Sequence, residues 1–387
     1  MKNTFPPVKC NFVFLFLVFF GFFSIRSSQA QNSEPDSLTW YWHQVFFAEI
    51  QSDPKVVIAN YDRIRSLCET LPIDVREWFK GTSFFGIARA KAKMGDKDGT
   101  RDALSKALSR HFWNFPLIQS VDEFNSVCGK EWIDSVCSYW SAVRDKEIPF
   151  WHPQPTLLLK PKQLLQNVKY PVLIVLQGGN DCYERLVTRL NTLPDSLNII
   201  IVFPAAVHRI SEVTNSWDGD TTAAETKLDA LIAELSKDPT VDTRNISLFG
   251  YSQGSQIAYD YGISHPEHIH NVIAFSGFAP TLVQDVELKN AAANHLNIIA
   301  ISGSSDSHEF LRTSLELQKE ALQQGLSFDL RIEPDLPHGL PMDITGYFTN
   351  IWRQLSVMTA RYQDNLQPSL PQAHRDSLQS GQSTSRH

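Results

Sequence analysis

The sequence predicts an α/β protein with a doubly wound, mainly parallel sheet, preceded by a small all-α domain. Length is the first reason, because 387 residues exceed one ordinary domain and favour two folded units. The second reason is that apolar residues before about residue 150 follow helical spacing. The third is that short β-branched apolar runs alternate with amphipathic stretches after that point, which is typical of βαβ units.

The first thirty residues have the three parts of a secretory signal peptide. Lys2 and Lys9 give a basic start, the stretch 11–25 is almost wholly apolar, and Ser28 and Ala30 are small residues at the cleavage positions. The apolar run is short for a membrane-spanning helix, which needs about 20 such residues. We therefore expect a secreted or periplasmic protein with no stable membrane span after residues 1–30 are removed. An uncleaved membrane anchor is the alternative.

Four cysteines remain once Cys10 is removed with the signal peptide, namely Cys68, Cys128, Cys137 and Cys182. Export would place them where disulfides persist, and four cysteines allow three fully paired connectivities. A Cys128–Cys137 bridge would close a short local loop and is the pairing we favour. The alternative is that all four are small, buried apolar side chains.

Residues 31–150 are expected to form the helical domain. Asp53 followed by Pro54 is a good helix start, a capping carboxylate before a proline at the first helical position. Asp74 is expected to cap a further helix that runs through Met94, and the helical pattern resumes from Thr100 to Leu108. The stretch 87–96 with the alanine–leucine pairs after it resembles one tetratricopeptide repeat, so we predict one repeat-like hairpin.

Seven of the nine tryptophans lie between Trp40 and Trp151. We expect them to fill the seams between packed helices, with a ligand-binding aromatic box as the alternative. A protein partner bound through this helical domain is a further hypothesis.

Residues 151–362 are expected to form the α/β domain, followed by a disordered tail over 363–387 that is rich in Gln, Ser and Pro. The predicted strands are Tyr170–Leu176, Asn198–Phe203, Asn245–Phe249, Asn271–Phe275, Asn297–Ile301 and Phe328–Ile332. The predicted helices are Tyr183–Leu193, Thr222–Ser236, Gln253–Ser264, Glu309–Gln324 and Ile344–Met358. In such sheets the reactive site lies at the carboxyl ends of the strands.

The formal charge is −7 and is spread along the chain without a basic run. A nucleic-acid partner is therefore not expected. The cysteines show no paired CxxC spacing for zinc, and no Lys-Ser/Thr follows the glycines of residues 178–179 as a phosphate cradle requires. We expect neither a metal nor an organic cofactor.

The strongest chemical signal is Gly250-Tyr251-Ser252-Gln253-Gly254, which stands between a buried strand and a helix. This is the G-x-S-x-G nucleophile elbow in the context that it requires. The sharp turn would project the hydroxyl of Ser252 at the top edge of the sheet, and the two glycines leave room where a β-carbon would collide. We predict that Ser252 is a nucleophile, the alternative being a Gly-Ser turn without chemical significance.

A serine hydroxyl needs a base to take its proton and an acid to orient that base. Asp306 directly follows the strand that ends near Ile301, and is preferred to Asp285, which falls in a probable helix. For the base we choose His338, because it lies in a loop after the final strand and next to Gly339. The other histidines considered are His308, at a helix start too close to Asp306, and His265, His268 and His270, near a helix end.

An oxyanion needs hydrogen-bond donors. One should be the backbone N–H of Gln253, the residue after the nucleophile, and the other should come from the loop Gln177-Gly178-Gly179-Asn180, with Gly179 as the best choice. A Gly-Gly turn without catalytic duty is the alternative for that loop. We assign Gly178, Asn180 and Trp217 to substrate binding.

The segment 249–258, continuing through His265-Pro266-Glu267 to residues 274–278, resembles the phospholipase/carboxylesterase family of α/β-hydrolases, with dienelactone hydrolases as near neighbours. Pro204 and Trp217-Asp218 resemble a loop of that family, and the similarity covers about residues 168–356. The resemblance implies that Ser252, Asp306 and His338 form a catalytic triad that hydrolyses esters through an acyl-enzyme.

The chain departs from the family pattern at two places. It has Ser302-Gly303-Ser304-Ser305-Asp306 where the family usually has His-Gly-x-x-Asp, and it has Gln177-Gly178 where the family usually has His-Gly. These changes leave the three triad residues in place and concern the acyl specificity.

Three functions are compatible with these observations. The first is hydrolysis of a small-molecule or polymer carboxylic ester, which we favour. The second is a serine peptidase of the same fold; a paired Glu-Glu that would hold a substrate amine is not found in the helical domain. The third is a non-catalytic protein that binds partners through the helical domain.

Overall fold

A computed structural model describes residues 34–152, 154–217 and 221–366 of the chain. The predicted signal peptide and residues 367–387 of the predicted tail lie outside the described residues. Within the described ranges, no helix is both long and apolar enough to cross a membrane.

Helices make up residues 34–150, which are called the helical half below. They are α1 (Glu34–Ile50), α2 (Pro54–Leu67), α3 (Ile73–Lys93), α4 (Lys97–Leu108), α5 (Phe115–Ser120), α6 (Asp122–Cys128) and α7 (Lys130–Glu147), with short 3-10 turns at Cys68–Thr70 and Ile148–Phe150. The predicted helical region is therefore present. The hairpin of α3 and α4 turns at Gly95, whose φ of +73° is one that L side chains rarely adopt.

Aspartates begin two of these helices. The Asp53 carboxylate accepts hydrogen bonds from the backbone N–H groups of Lys55 and Val56 at 3.1 and 3.2 Å, so the predicted cap of α2 is confirmed. The prediction that Asp74 caps α3 is wrong, because Pro72 is the N-cap and Asp74 lies in the first helical turn. The next helix begins before Thr100, because Asp96 accepts from the backbone N–H of Gly99 and caps α4.

The tryptophans of the helical half contribute to its core. Trp78 and Trp113 are buried, and four more are partly buried against the same cluster, namely Trp42, Trp132, Trp140 and Trp151. Trp40 is the exception at 47% exposed. Most of these rings therefore fill space between helices, as the sequence predicts.

The four cysteines are buried free thiols, so the predicted Cys128–Cys137 bridge is wrong. Cys128 ends α6 and Cys137 lies inside α7, and both belong to the apolar cluster of the helical half. Cys68 and Cys182 belong to the same cluster. Each serves there as a small apolar side chain, which was the alternative interpretation.

Strands and helices alternate in the second half. The strands are β1 (Leu157–Leu159), β2 (Tyr170–Leu176), β3 (Ile200–Phe203), β4 (His208–Arg209), β5 (Asn215–Ser216), β6 (Val241–Tyr251), β7 (Asn271–Phe275), β8 (Asn297–Gly303) and β9 (Ser327–Glu333). The helices are α8 (Tyr183–Leu190), α9 (Leu193–Leu197), α10 (Thr221–Leu235), α11 (Gln253–Ser264), α12 (Asp285–Ala293), α13 (His308–Gln323) and α14 (Ile344–Leu366).

Within the described residues, seven strands form one sheet in the order β1-β3-β2-β6-β7-β8-β9. The β1–β3 pair is antiparallel and every other pair in this sheet is parallel. β6 is the central strand. Its neighbours end level with it, because Leu176 pairs with Gly250 and Phe275 pairs with Tyr251. The loops that follow β2, β6, β7 and β8 consequently emerge at one edge.

Apolar residues cover both faces of the sheet. Alternate residues of β2 and β6 enter opposite clusters, with Ile174 and Leu248 on one face and Val175 and Phe249 on the other. A sheet with helices on both faces needs this continuous apolar pattern, and the predicted fold class is confirmed.

Several element boundaries differ from the sequence prediction, and β6 begins at Val241 instead of the predicted Asn245. The helix expected over 183–193 is two helices, and Pro194 lies in the first turn of the second. Helix α14 extends to Leu366, so it includes the first four residues of the predicted tail. The residues from Glu34 onward form one compact unit, so the division at residue 150 stays a prediction.

We expect Gly254→Ala to destabilise the fold strongly. A β-carbon on Gly254 would lie 2.2 Å from the Leu176 carbonyl oxygen and 2.5 Å from that of Gln177, and both neighbours are backbone atoms. The free energy of unfolding in urea should fall by about 3 kcal/mol. Ser264→Ala, at the exposed end of the same helix, is the control and should change it by less than about 0.5 kcal/mol. Equal unfolding midpoints for the two variants would contradict this account of the turn.

Candidate active site

Ser252 lies in the turn between the central strand β6 and helix α11. Its φ of 53° and ψ of −118° are strained for a residue with a side chain. The neighbouring strand β7 holds the turn in place, because the Ser252 N–H donates to the Phe275 carbonyl at 2.8 Å. A β-carbon on Gly250 would lie 2.3 Å from the Gly254 carbonyl oxygen, so the two glycines permit this close approach. The hydroxyl is thereby presented at the carboxyl edge of the sheet.

The structure brings Ser252, His338 and Asp306 together. His338 Nε2 lies 3.1 Å from Ser252 Oγ, and His338 Nδ1 lies 3.1 Å from both carboxylate oxygens of Asp306. The Asp306 side chain is 3% exposed and that of His338 is 25% exposed. Asp306 is fixed further by the Ser307 N–H, which donates to Oδ1 at 2.6 Å. A serine hydroxyl, an imidazole and a carboxylate in this order can transfer a proton away from the hydroxyl.

The other candidate residues lie elsewhere. Asp285 begins helix α12, and His308 is an exposed residue at the first position of α13. His265 is the C-cap of α11, at the end of that helix opposite Ser252. His268 and His270 precede β7 and so lie at the amino edge of the sheet.

The predicted oxyanion loop lies beside Ser252. A β-carbon on Gly178 would lie 3.5 Å from the β-carbon of Ser252, and one on Gly179 would lie 3.0 Å from Gln253 Oε1. The Gln253 side chain is held by two donors, the Ser216 hydroxyl at 2.9 Å and the Trp217 N–H at 2.7 Å. The loop and the residue after the nucleophile are therefore adjacent, as an oxyanion site requires.

Trp217 does not have the exposure that substrate binding needs. It is fully buried, and its indole N–H donates to the Gln177 carbonyl at 3.0 Å. Together with its bond to the Gln253 side chain, this contact makes Trp217 a support for the oxyanion loop. The assignment of Trp217 to substrate contact is corrected accordingly.

Asn180 adopts a φ of 51°, which asparagine tolerates better than most residues. Its carbonyl accepts a hydrogen bond from the Trp78 indole at 2.9 Å, so helix α3 holds the end of the oxyanion loop. Its side-chain oxygen is buried and has no hydrogen-bond partner within the described residues.

A buried ion pair, which the sequence analysis did not predict, supports this loop. Arg185 contacts the Asp181 carboxylate with two hydrogen bonds, at 2.5 and 3.0 Å. The guanidinium carbon lies 4.8 Å from the Trp78 ring and 5.5 Å from the Tyr251 ring. Asp181 lies just before helix α8 and Arg185 lies in its first turn, and their spacing of four residues was the available signal for this pair.

Helix α1 contacts the loop that carries His338. His43 Nε2 lies 3.2 Å from the Leu340 carbonyl oxygen, to which a neutral imidazole donates, and the Phe46 ring lies 6.1 Å from the His338 ring in an edge-to-face arrangement. His43 and Phe46 are three residues apart and so lie on one helical face. No local pattern in the sequence identifies these contacts, because the two segments are almost 300 residues apart.

We expect His43 to make the protein less stable in mild acid. Burial lowers the pKa of His43 from 6.5 to about 4, although its hydrogen bond to Leu340 acts in the opposite direction. Because the folded pKa is the lower one, stability is complete above pH 6.5 and is lost as the pH falls towards 4. Between pH 7.5 and 5.0, the loss of unfolding free energy in urea should be about 2 kcal/mol smaller in His43→Gln than in the parent protein.

His268→Gln is the matched control for that measurement, because its side chain is 49% exposed. It should show the same pH dependence of unfolding as the parent. If the unfolding free energy of His43→Gln falls with pH as much as that of the parent, protonation of His43 is not the cause of the loss of stability in acid.

Residues 206–343 match the family model described as Phospholipase/Carboxylesterase, a range that includes Ser252, Asp306 and His338. No curated protein matches the sequence. Among solved structures, an uncharacterized protein from Bacillus cereus has a TM-score of 0.44 at 11% identity, covering 82% of this chain and 98% of that one. The Bacillus cereus carboxylesterase has a TM-score of 0.43 at 18% identity, covering 52% and 93%.

A further solved structure is the dipeptidyl peptidase 4 of Porphyromonas gingivalis, with a TM-score of 0.39 at 15% identity, covering 52% of this chain and 33% of that one. At such identities and TM-scores, these structures say nothing about the activity of this chain. The sheet order and the match to the family model are the observations that place the second part of the chain in its fold class. Residues 206–343 of this chain are similar to the phospholipase/carboxylesterase family, and they lie in a part of the chain that folds as a mostly parallel sheet with helices.

Proposed function

We propose that this protein is a serine hydrolase that cleaves carboxylic esters through an acyl-enzyme. One observation carries the proposal: Ser252 Oγ lies 3.1 Å from His338 Nε2, and Asp306 holds the other imidazole nitrogen at 3.1 Å. The family match favours an ester as the substrate class. The substrate is a small molecule or a polymer that carries the ester.

The proposed reaction has two halves. His338 Nε2 takes the proton of Ser252 as Oγ attacks the ester carbonyl, and Asp306 stabilises the imidazolium that forms. The tetrahedral intermediate then collapses: the bond to the alcohol oxygen breaks, and His338 returns its proton to that oxygen. In the second half, His338 activates a water that attacks the acyl-enzyme and releases the carboxylic acid and free Ser252.

The negative charge of the intermediate needs fixed donors. We assign the backbone N–H groups of Gln253 and Gly179 to this role. The N-terminus of helix α11, which begins at Gln253, adds a favourable partial positive charge. The contacts of Trp217 and Trp78 would keep the oxyanion loop in place as charge develops.

Export is also proposed. The basic, apolar and small-residue parts of residues 1–30 support a cleaved signal peptide and a secreted or periplasmic mature protein. N-terminal sequencing of the secreted protein should begin at or near Gln31. A protein that still begins at Met1 and is found in the membrane fraction would instead support an uncleaved membrane anchor.

We expect Ser252→Ala to abolish ester hydrolysis and labelling by a fluorophosphonate probe while the fold is preserved. The probe forms a bond from phosphorus to Ser252 Oγ and releases fluoride, so mass mapping should find the adduct on the peptide containing Ser252. Ser264→Ala, an exposed serine of helix α11, should label and turn over like the parent. Undiminished labelling of folded Ser252→Ala would refute the nucleophile assignment.

The same purified protein distinguishes an esterase from a peptidase and from a non-catalytic binding protein. Fluorogenic dipeptides are assayed beside a short-chain ester, and faster turnover of the dipeptides would indicate a peptidase. A folded protein that neither labels nor turns over either substrate would point to a binding role for the helical half.

We expect Asp306→Asn to lower kcat for ester hydrolysis by about 10²–10⁴-fold with little change in the thermal unfolding midpoint. The amide no longer stabilises the imidazolium, and its NH2 group favours the wrong imidazole tautomer. Asp285→Asn is the matched control, because Asp285 lies at the start of helix α12. A kcat for Asp306→Asn that equals the control would exclude Asp306 as the acid.

A further inference from the structure

We infer that Phe46, on the N-terminal helix α1, contacts the alcohol part of the ester and makes the enzyme selective for bulky apolar alcohols. The inference rests on the proposed function and adds a specificity residue from outside the α/β part of the chain. Three observations carry it, namely the anchoring of the helical half, the rings around His338 and their exposure, together with the chemical requirement that His338 protonates the leaving alcohol.

The helical half is anchored on both sides of Ser252. On one side, buried His43 contacts the Leu340 carbonyl, and a β-carbon on Gly339 would lie 3.2 Å from His43 Nε2. On the other side, buried Trp78 donates to the Asn180 carbonyl at 2.9 Å. These two contacts tie α1 to the loop of the base and α3 to the oxyanion loop.

Aromatic rings join these two anchors to each other. Trp42 lies 5.4 Å from Trp78 and 6.1 Å from Phe46, so a continuous row of rings runs from the oxyanion loop to His338. Such contacts resist displacement, because each ring pair adds to the apolar area that is buried. These contacts therefore hold the Phe46 ring in a fixed position beside His338.

Three rings contact the imidazole of His338. Phe46 lies 6.1 Å from it, Phe310 lies 5.3 Å from it, and Tyr251 lies 5.6 Å from it. Tyr251 is buried, whereas Phe46 and Phe310 are half-buried and keep surface that a ligand can cover. Phe278 extends the apolar surface, because it is 41% exposed and its ring lies 4.6 Å from Phe310.

The proton that leaves His338 Nε2 determines which part of the substrate meets these rings. The alcohol oxygen must come within hydrogen-bond reach of Nε2 to receive that proton, about 3 Å away. The carbon atoms attached to that oxygen are then next to His338 and within reach of the two half-buried rings beside it. A bulky apolar alcohol would cover Phe46 and Phe310, while a small alcohol would leave them in contact with water.

The test compares ethyl acetate with cyclohexyl acetate, which share an acyl group and have alkyl leaving groups of similar basicity. In Phe46→Ala, KM for cyclohexyl acetate should rise about tenfold, while KM for ethyl acetate should change less than about twofold. Phe46→Leu keeps part of the apolar surface and should give an intermediate KM for the cyclohexyl ester. Acid release in a pH-stat measures all of these reactions.

Trp40→Ala is the control, because Trp40 is a large aromatic residue on the same helix that is 47% exposed. Both esters should retain the parent KM in this variant. The inference is supported if Phe46→Ala raises KM for cyclohexyl acetate alone and Trp40→Ala leaves KM for both esters unchanged.

Two outcomes would overturn the inference while leaving the proposed function intact. An equal fall of kcat for both esters would mean that Phe46 only positions His338. An unchanged ratio of kcat/KM between the esters, with Ser252 still labelled by fluorophosphonate, would mean that Phe46 does not meet the alcohol. If Phe46→Ala does not fold, the ester ratio of Phe46→Leu decides. A parent protein that neither labels nor hydrolyses either ester would refute the proposed function itself, and the inference with it.

Discussion

The backbone turn at Ser252 is the constraint on which the rest of the candidate active site depends. A residue with a φ of 53° and a side chain would relax to a commoner conformation if its surroundings permitted it. Here the Phe275 carbonyl accepts from its N–H, a β-carbon on Gly250 would collide with Gly254, and one on Gly254 would collide with the backbone of Leu176. Because the turn follows the central strand, neighbouring strands on both sides hold it in place. The strained backbone that presents the Ser252 hydroxyl at the sheet edge is thus held in place by the most buried part of the fold.

The parallel sheet brings the other candidate catalytic groups to the same edge. Carboxyl ends of parallel strands lie together, so the loops after β2, β6 and β8 converge although they are far apart in the chain. Asp306 and His338 come from the loops after β8 and β9, and reach Ser252 as a continuous hydrogen-bonded row. The oxyanion loop comes from β2, beside β6. Helix α8, which follows that loop, contributes Arg185, whose ion pair with Asp181 is buried and held between two rings.

The helical half is joined to this edge by specific contacts. His43 and Trp78 each form a hydrogen bond to a backbone carbonyl of a loop at the site, and both side chains are buried. The contact with Leu340 is buried, so breaking it would leave a buried acceptor without that partner. Cys182, from the α/β half, lies within the apolar cluster of the helices and extends that cluster across the junction. The two halves therefore share part of one core, and the helices act on the position of the reactive loops.

The sequence by itself determined the elements whose signals are local. Strands 170–176 and 271–275 and helix 253–264 have the predicted bounds, because buried parallel strands require unbroken apolar runs and the glycines of the elbow permit only one kind of turn. Ser252, Asp306 and His338 are predictable from their places after strands, because chain order sets those places. Tertiary structure alone decided the contacts of His43, Phe46 and Trp78 with the reactive loops, the burial of Trp217, and the free state of the cysteines. These features depend on which surfaces meet across almost 300 residues of chain, and hydrophobic periodicity records that a surface is buried but not what buries it.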